Sequence, residues 1–306
     1  MPTIQQLRYL VAVADTLHFR RAAEACNVTQ PTLSVQLKEL EQKLSVQLVE
    51  RSRSRVILTP LGRRVVDKAR DVLRDMNEIR AMAKAGQSLL EDTIKIGVIQ
   101  SLGSYLLPLI VPDLHENHPD LRLYVREELP DRLVQSLEGG TLDLLFFPLP
   151  VPRADLVSAP IFREDLLVAA PHDHPIAELS KVDPQVLENE IIMTLEPGHK
   201  LYEQVRGFCD DYGAALSHDY EGTSLDTLRQ MVAMGMGLSL LPALYVKSEV
   251  AHQDIVIARP FKGRAPSRMI GMVWRRGTAR EEEFQTLADL IRGILKVRAS
   301  EITILN

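Results

Sequence analysis

The segment Thr29-Gln30-Pro31-Thr32-Leu33-Ser34-Val35-Gln36 carries hydroxyl and amide side chains short enough to meet base edges and phosphates without forcing a gap. Its chemistry is hydrogen bonding rather than bond making. Arg20 and Lys38 add positive charge on either side. Arg51, Arg53 and Arg55 alternate with serines inside Glu50–Thr59, ahead of a short β-branched run. Alone, such a run reads as a solvated loop; beside the Thr29–Gln36 segment it reads as a cationic wing for phosphate or a minor groove. The two cysteines, Cys26 and Cys209, stand too far apart for a disulfide framework or a zinc site. His172 and His174 flank Asp173 in a proline-bounded loop and are read as exposed loop histidines. There is no GxSxG, no GxxxxGK[ST] and no HExxH, so no enzyme is expected, and no cofactor. Gly235-Met236-Gly237 lacks the rest of a dinucleotide fingerprint and is read as a site of close helix packing.

Helices must hold the polar segment in place. Thr3 can cap a first helix whose Leu7, Leu10, Val11 and Ala14 share a face. A second runs from His18 to Ala25, and Asn27 suits the turn that follows because it tolerates left-handed backbone angles. Thr29 is then an N-cap, Pro31 falls in the first turn, and Leu33, Leu37, Leu40 and Leu44 form the buried face. Two helices joined by a tight turn make a helix-turn-helix, whose second helix presents its N-terminal residues to the major groove. From Pro60 to Leu89 a long helix is expected. Its narrow stripe of Leu61, Val65, Ala69, Val72, Met76, Ile79 and Ala83 asks for a partner helix.

Beyond residue 90 the pattern changes. Strands are expected at Thr93–Ile99, Leu121–Val125, Leu142–Phe147, Leu166–Ala170, Glu190–Met193 and Ile270–Trp274. Helices are expected at Tyr105–His118, Asp131–Glu138, His199–Tyr212, Ser224–Met236 and Glu281–Lys296. This alternation indicates a parallel sheet. Ligands in such folds sit at strand ends and helix N-termini, which nominates Ser101, Leu102, Thr223 and Ser224.

A chain of 306 residues suits two or three domains. No apolar run approaches a membrane span and the N-terminus has no secretory pattern, so a cytoplasmic protein without membrane contact is expected. The net charge of −5 argues against nucleic acid only on average. Residues 1–90 hold 15 Lys/Arg against 9 Asp/Glu, and the remainder holds 21 against 32. A basic module is joined to an acidic one.

The first 65 residues resemble the LysR-type transcriptional regulators. The match lies in Leu7-Arg-Tyr-Leu10, Phe19-Arg-Arg-Ala-Ala23, Thr29-Gln-Pro-Thr-Leu-Ser34, Leu40-Glu-Gln-Lys-Leu44, Leu48-Val-Glu-Arg51 and Leu58-Thr-Pro-Leu-Gly62. At Val49 the family usually carries a bulkier apolar residue. The resemblance implies a multidomain fold: an α-rich winged helix-turn-helix (1–59), a linker and dimerisation helix (60–89) and an α/β periplasmic-binding-protein-like effector domain (90–306). Its lobe I would take 90–163 and 269–306, and lobe II 164–268. It further implies dimers or tetramers on promoter DNA, with RNA polymerase as a further partner and a small-molecule effector in the inter-lobe cleft. A solute-binding module without a DNA role would leave the basic N-terminus unexplained.

Along nearly the whole chain the sequence is similar to one branch, the OxyR-type hydrogen-peroxide regulators. The carrying residues are His18-Phe-Arg-Arg-Ala-Ala23, Ser104-Tyr-Leu-Leu-Pro108, Gly198-His199, Gly207-Phe-Cys209, Thr223-Ser-Leu225, Thr227-Leu-Arg229 and Leu240-Leu-Pro-Ala-Leu244. In that branch a Gly-His-Cys segment supplies the attacking thiolate and a Gly-Phe-Cys segment the resolving thiol. Here Lys200 follows His199 where the attacking cysteine would stand, while Cys209 matches the resolving position. Ser101 and Glu203 stand for a threonine and an aspartate, Arg268 matches an arginine, and Pro130 replaces a second threonine. An intramolecular disulfide switch is therefore not expected. Two readings follow: Lys200, His199 and Arg268 converge on an anionic small molecule, or Cys209 alone senses oxidants through a mixed disulfide.

Overall fold

Thr3 starts the chain's first helix, α1 (Ile4–Thr16), by a reciprocal cap. Its hydroxyl accepts the Gln6 N–H while Gln6 Oε1 accepts the Thr3 N–H. The computed structural model describes residues 1–51, 56–84, 90–220, 222–251 and 255–305. His18 caps α2 (Phe19–Ala25), and Asn27 takes the left-handed turn at φ 55°. Thr29 caps α3 (Gln30–Leu44), with Pro31 in its first turn. Tyr9, Leu10, Ala22, Ala23, Leu33, Leu37 and Leu40 close a small core in which the alanines let the helices approach. Strands β1 (Val49–Arg51) and β2 (Val56–Leu58) pair antiparallel, Glu50 opposite Ile57. Arg53 and Arg55, expected at the wing tip, lie outside the described residues, as does the side chain of Arg51.

Helix α4 (Pro60–Lys84) follows; 85–89 of the expected linker helix fall outside the described residues. At Gly62 a Cβ would sit 2.1 Å from the Leu48 carbonyl oxygen, so only glycine lets the helix start here. The inward face of α4 differs from the expected stripe. Val66 and Ala69 are buried, with Val65 and Leu73 packed beside them, whereas Leu61, Val72 and Ile79 remain exposed. A helix advances about 100° per residue, so the apolar positions split into two neighbouring stripes.

These elements form one unit, Met1–Gln87 with Glu138–Thr141; Ser88–Leu137 with Leu142–Asn306 forms the other. In the second, β3 (Thr93–Ile99), α5 (Gly103–Asn117), β4 (Arg122–Glu128), α6 (Pro130–Glu138) and β5 (Leu144–Leu149) alternate, and β3 pairs parallel with both β4 and β5. A long strand, β6 (Leu156–Pro171), leads to β7 (Ile191–Met193), α7 (Lys200–Tyr212) and β8 (Ala215–Leu216). Then come α8 (Leu225–Ala233), β9 (Leu238–Pro242), the short α9 (Ala243–Tyr245) and a π-helical turn, Val246–Val250. The chain closes with β10 (Val256–Arg259), β11 (Ser267–Arg275), α10 (Glu281–Arg298) and β12 (Ile302–Ile304).

The sheet runs β4-β3-β5-β11-β6-β9-β7-β8, with β10 and β12 also on β6. It carries two cores. One gathers Ile96, Leu106, Phe146, Met272 and Leu287; the other gathers Val168, Ile192, Phe208, Leu228 and Leu240. β6 serves both lobes. Its first part pairs with β11, Leu156 opposite Arg275 through Asp165 opposite Ser267, and its end pairs with β9 and β10.

Two details correct the expectations. The strand expected at Leu166–Ala170 is only the end of β6, because the polar triplet Arg163-Glu164-Asp165 lies within the strand. Helix α8 stops at Ala233 rather than Met236. Gly235 is left-handed at φ 78°, and at Gly237 a Cβ would lie 2.8 Å from the Ile191 carbonyl oxygen. These glycines make a turn against β7, not a helix–helix contact. Among the described residues no helix is long and apolar enough to cross a membrane.

Candidate functional site

On α3 the Thr29 hydroxyl accepts the Thr32 N–H, and the two hydroxyls lie 2.8 Å apart. Gln30, Pro31, Thr32 and Lys38 are exposed, and Ser34 is half-buried. Gln36 also has partners within the domain. Gln6, almost fully buried, donates to Gln36 Oε1 (3.2 Å) and Glu39 Oε2 (3.3 Å) and accepts from Lys43 Nζ (3.3 Å). This amide network ties α1 to α3 and sets the tilt of the exposed face. Arg20 is exposed and pairs with Glu24 at 3.1 Å within α2.

In the second unit Arg268 stands opposite Glu164 where β11 and β6 pair antiparallel. Its Nε donates to Glu164 Oε2 at 2.7 Å, and Nη1 and Nη2 donate to the Ser101 hydroxyl and carbonyl oxygen, each at 3.0 Å. Glu164 Oε1 accepts the Leu244 N–H at 2.8 Å. Glu164 and Arg268 are 0% and 2% exposed, so each charge depends on the other for solvation. Leu102 follows Ser101 with its side chain in the first lobe's core.

The segment between β7 and α7 holds polar atoms without partners. Thr194 and His199 are 5% and 3% exposed, yet Thr194 Oγ1 and His199 Nε2 make no hydrogen bond among the described residues. Gln204 Oε1, one turn into α7, is likewise unpaired. His199 occupies the N-cap of α7 without capping it by its side chain. Burial holds its imidazole below the ordinary 6.5, opposed by Glu196 with its carboxylate at 3.9 Å, so the ring is neutral near pH 7. Lys200 is exposed at the first position of α7, and Glu203 pairs with Arg206 at 2.8 Å. At the next helix Ser224 is a plain N-cap, accepting the Asp226 N–H at 3.2 Å, and Thr223 is exposed. His174 caps a 3₁₀ turn through the Ile176 N–H.

The expected set thus divides. Arg268 and Ser101 are joined directly, but Glu164 neutralises the guanidinium, and the hydrogen bonds of Arg268 run to neither His199 nor Lys200. Glu164 and Thr194 carry no signal in the sequence: Glu164 lies within the polar triplet Arg163-Glu164-Asp165, and Thr194 is one polar residue after an apolar run. Also unforeseen is Tyr105, which packs against both lobe cores and meets Tyr245 edge-on at 5.0 Å. The Tyr245 hydroxyl accepts from Arg229 Nε at 3.0 Å.

Two models of bacterial regulators match the chain. "Bacterial regulatory helix-turn-helix protein, lysR family" covers residues 4–63 and "LysR substrate binding domain" covers 87–296. The chain belongs to the LysR family. It is a DNA-binding transcriptional regulator with an effector-binding domain, not an enzyme. This LysR-family chain is 40% identical over 289 residues, 94% of each chain, to the DNA-binding transcriptional dual regulator OxyR of Escherichia coli. It is 37% identical to the hydrogen peroxide-inducible genes activator of Dickeya chrysanthemi, covering 98% of both. A full-length OxyR variant from Pseudomonas aeruginosa superposes with a TM-score of 0.79 at 37% identity over 98% of both chains. A peroxide-bound OxyR mutant from Corynebacterium glutamicum does so at 0.68 and 29% identity, over 98% of this chain and 95% of that one. The fold is therefore a helix-turn-helix domain with a two-lobed periplasmic-binding-protein-like regulatory domain.

Cys209 lies in the second lobe's core, where burial, with Asp210 beside it, pushes its thiol up to about 11. Relative to an ordinary thiol at 9.0, the thiolate at neutral pH is about a hundredfold scarcer. Alkylation of Cys209 in the native protein at pH 7.5, followed by peptide mass spectrometry, will run about a hundredfold slower than in denaturant. Equal rates would contradict the burial. Replacing Arg268 by Met leaves Glu164 as an uncompensated buried charge and will cost about 3–5 kcal/mol in denaturant unfolding.

Proposed function

We propose that this regulator reads promoter DNA through the exposed face of α3 and the wing, and responds to a small anionic effector at the N-terminus of α7. The proposed division is a DNA-binding domain (1–59), a linker helix (60–89), lobe I (90–163 and 269–306) and lobe II (164–268). Exposed Leu61, Val72 and Ile79 support self-association along α4, and the last two are one heptad apart. Dimers suit paired half-sites, and a tetramer suits the OxyR kinship. Gln30, Pro31, Thr32 and Ser34 would meet bases or phosphates, and Arg20, Lys38, Arg51, Arg53 and Arg55 phosphates. RNA polymerase is the proposed downstream partner, in the cytoplasm.

One observation carries the effector reading: two buried polar atoms, Thr194 Oγ1 and His199 Nε2, make no hydrogen bond among the described residues, beside a helix start that no side chain caps. Unpaired buried polar groups cost free energy that a ligand can recover. The helix N-terminus and Lys200 supply the positive potential, since His199 is neutral and Arg268 is committed to Glu164. Ser101, with Leu102 after it, would carry an effect on lobe I through Arg268; Glu203, Thr223 and Ser224 would line the approach.

Kinship to peroxide regulators favours a second reading, oxidant sensing. Lys200 stands at the position expected for an attacking thiol and Cys209 is buried, which weighs against thiol chemistry. Titrating the full-length protein with a panel of small carboxylates, and separately with hydrogen peroxide, distinguishes the two. The anion reading predicts that one carboxylate raises Tm by on the order of 5 °C at a hundredfold excess over Kd. Lys200→Met should abolish that shift, and peroxide should change neither DNA affinity nor thiol count. Peroxide-dependent DNA affinity with loss of a thiol would overturn it.

A further inference from the structure

The exposed face of α3 carries one residue that the hydrogen-bonding account leaves unused. Val35 is 55% exposed, while Leu33 and Leu37, two positions to either side, are fully buried. At about 100° per residue, Val35 therefore points away from the core. More than half of it stays uncovered by its own domain, and as a β-branched residue it is not a strong helix former. Its neighbours one turn away, Pro31, Thr32 and Lys38, are exposed too.

The remaining groups of this face narrow what Val35 can meet. The Thr29 and Thr32 hydroxyls are within hydrogen-bond reach of each other, and the Gln36 amide is shared with Gln6 and Glu39. Besides the Pro31 ring and the Thr32 methyl at the start of the helix, Gln30, Val35 and Lys38 are left to offer an amide, two methyl groups and an ammonium to whatever lies against it. Base edges in the major groove present one apolar group, the C5-methyl of thymine.

We propose that Val35 is a specificity-determining residue that packs on a thymine methyl group in each half-site. The proposal rests on α3 being the reading helix, and its test separates the two claims. A duplex selected from random-sequence DNA by the full-length protein is resynthesised with each thymine replaced in turn by deoxyuridine, which removes the methyl and keeps every hydrogen bond. Wild type should lose affinity about three- to fivefold at one thymine per half-site, the worth of one buried methyl. Val35→Ala should bind the thymine duplex weaker by a similar factor, lose that sensitivity, and keep the same salt dependence. Lys38→Ala should instead reduce the salt slope by about 1, and Gln30→Ala should relax preference at another base. If wild type ignores every uracil substitution, or Val35→Ala keeps the sensitivity, the methyl contact is overturned. If Gln30→Ala and Lys38→Ala also leave binding unchanged, the assignment of α3 falls with it.

Discussion

A carboxylate and a guanidinium buried opposite each other on two paired strands constrain the rest of the effector unit. Glu164 and Arg268 sit in β6 and β11, the two strands that pass between the lobes, and neither charge has access to water. Such a pair is tolerated only when its remaining hydrogen-bonding capacity is used. Here each guanidinium nitrogen and each carboxylate oxygen is bonded: besides the Glu164–Arg268 bond, Ser101 after β3 accepts two guanidinium bonds, and the Leu244 N–H donates to the second carboxylate oxygen. The end of the first lobe's central strand and the start of α9 are thereby referred to one point. Moving either requires moving or breaking the pair.

That constraint changes what the cationic residues can do. Counting charges along the sequence makes Lys200, His199 and Arg268 a positive cluster. Burial makes His199 neutral, and Glu164 cancels Arg268. The positive potential that remains near α7 comes from its backbone amides and from Lys200. The DNA-binding unit shows a related sorting: Gln36, expected at the bases by type and position, also belongs to the Gln6 network that joins α1 to α3.

The N-terminal unit was legible in detail because its signals are local. Caps at Thr3, His18 and Thr29, a left-handed Asn27 and leucines at helical spacing specify each boundary within a few residues. The α/β unit was legible as a class, but its centre was not. β6 reads as two segments because Arg163-Glu164-Asp165 interrupts an apolar run, and only the distant Arg268 explains why Glu164 belongs inside. Short β8, β10 and β12 carry too few residues for a period to show. Thr194 and the Tyr105–Tyr245 contact depend on packing between segments far apart in sequence, which no window along the chain contains.

Hydrogen exchange at the Leu244 amide tests the central claim most directly, since that N–H donates to the buried carboxylate of the pair. In the wild-type full-length protein it should exchange as slowly as the core amides of β6 and β11, through a shared opening. In Glu164→Gln, protection at Leu244 and along both strands should fall together, while Leu33, Leu37 and Leu40 in α3 stay unchanged. Exchange at Leu244 that is fast in the wild type, or lost alone in the variant, would contradict the view that the pair holds the two strands together.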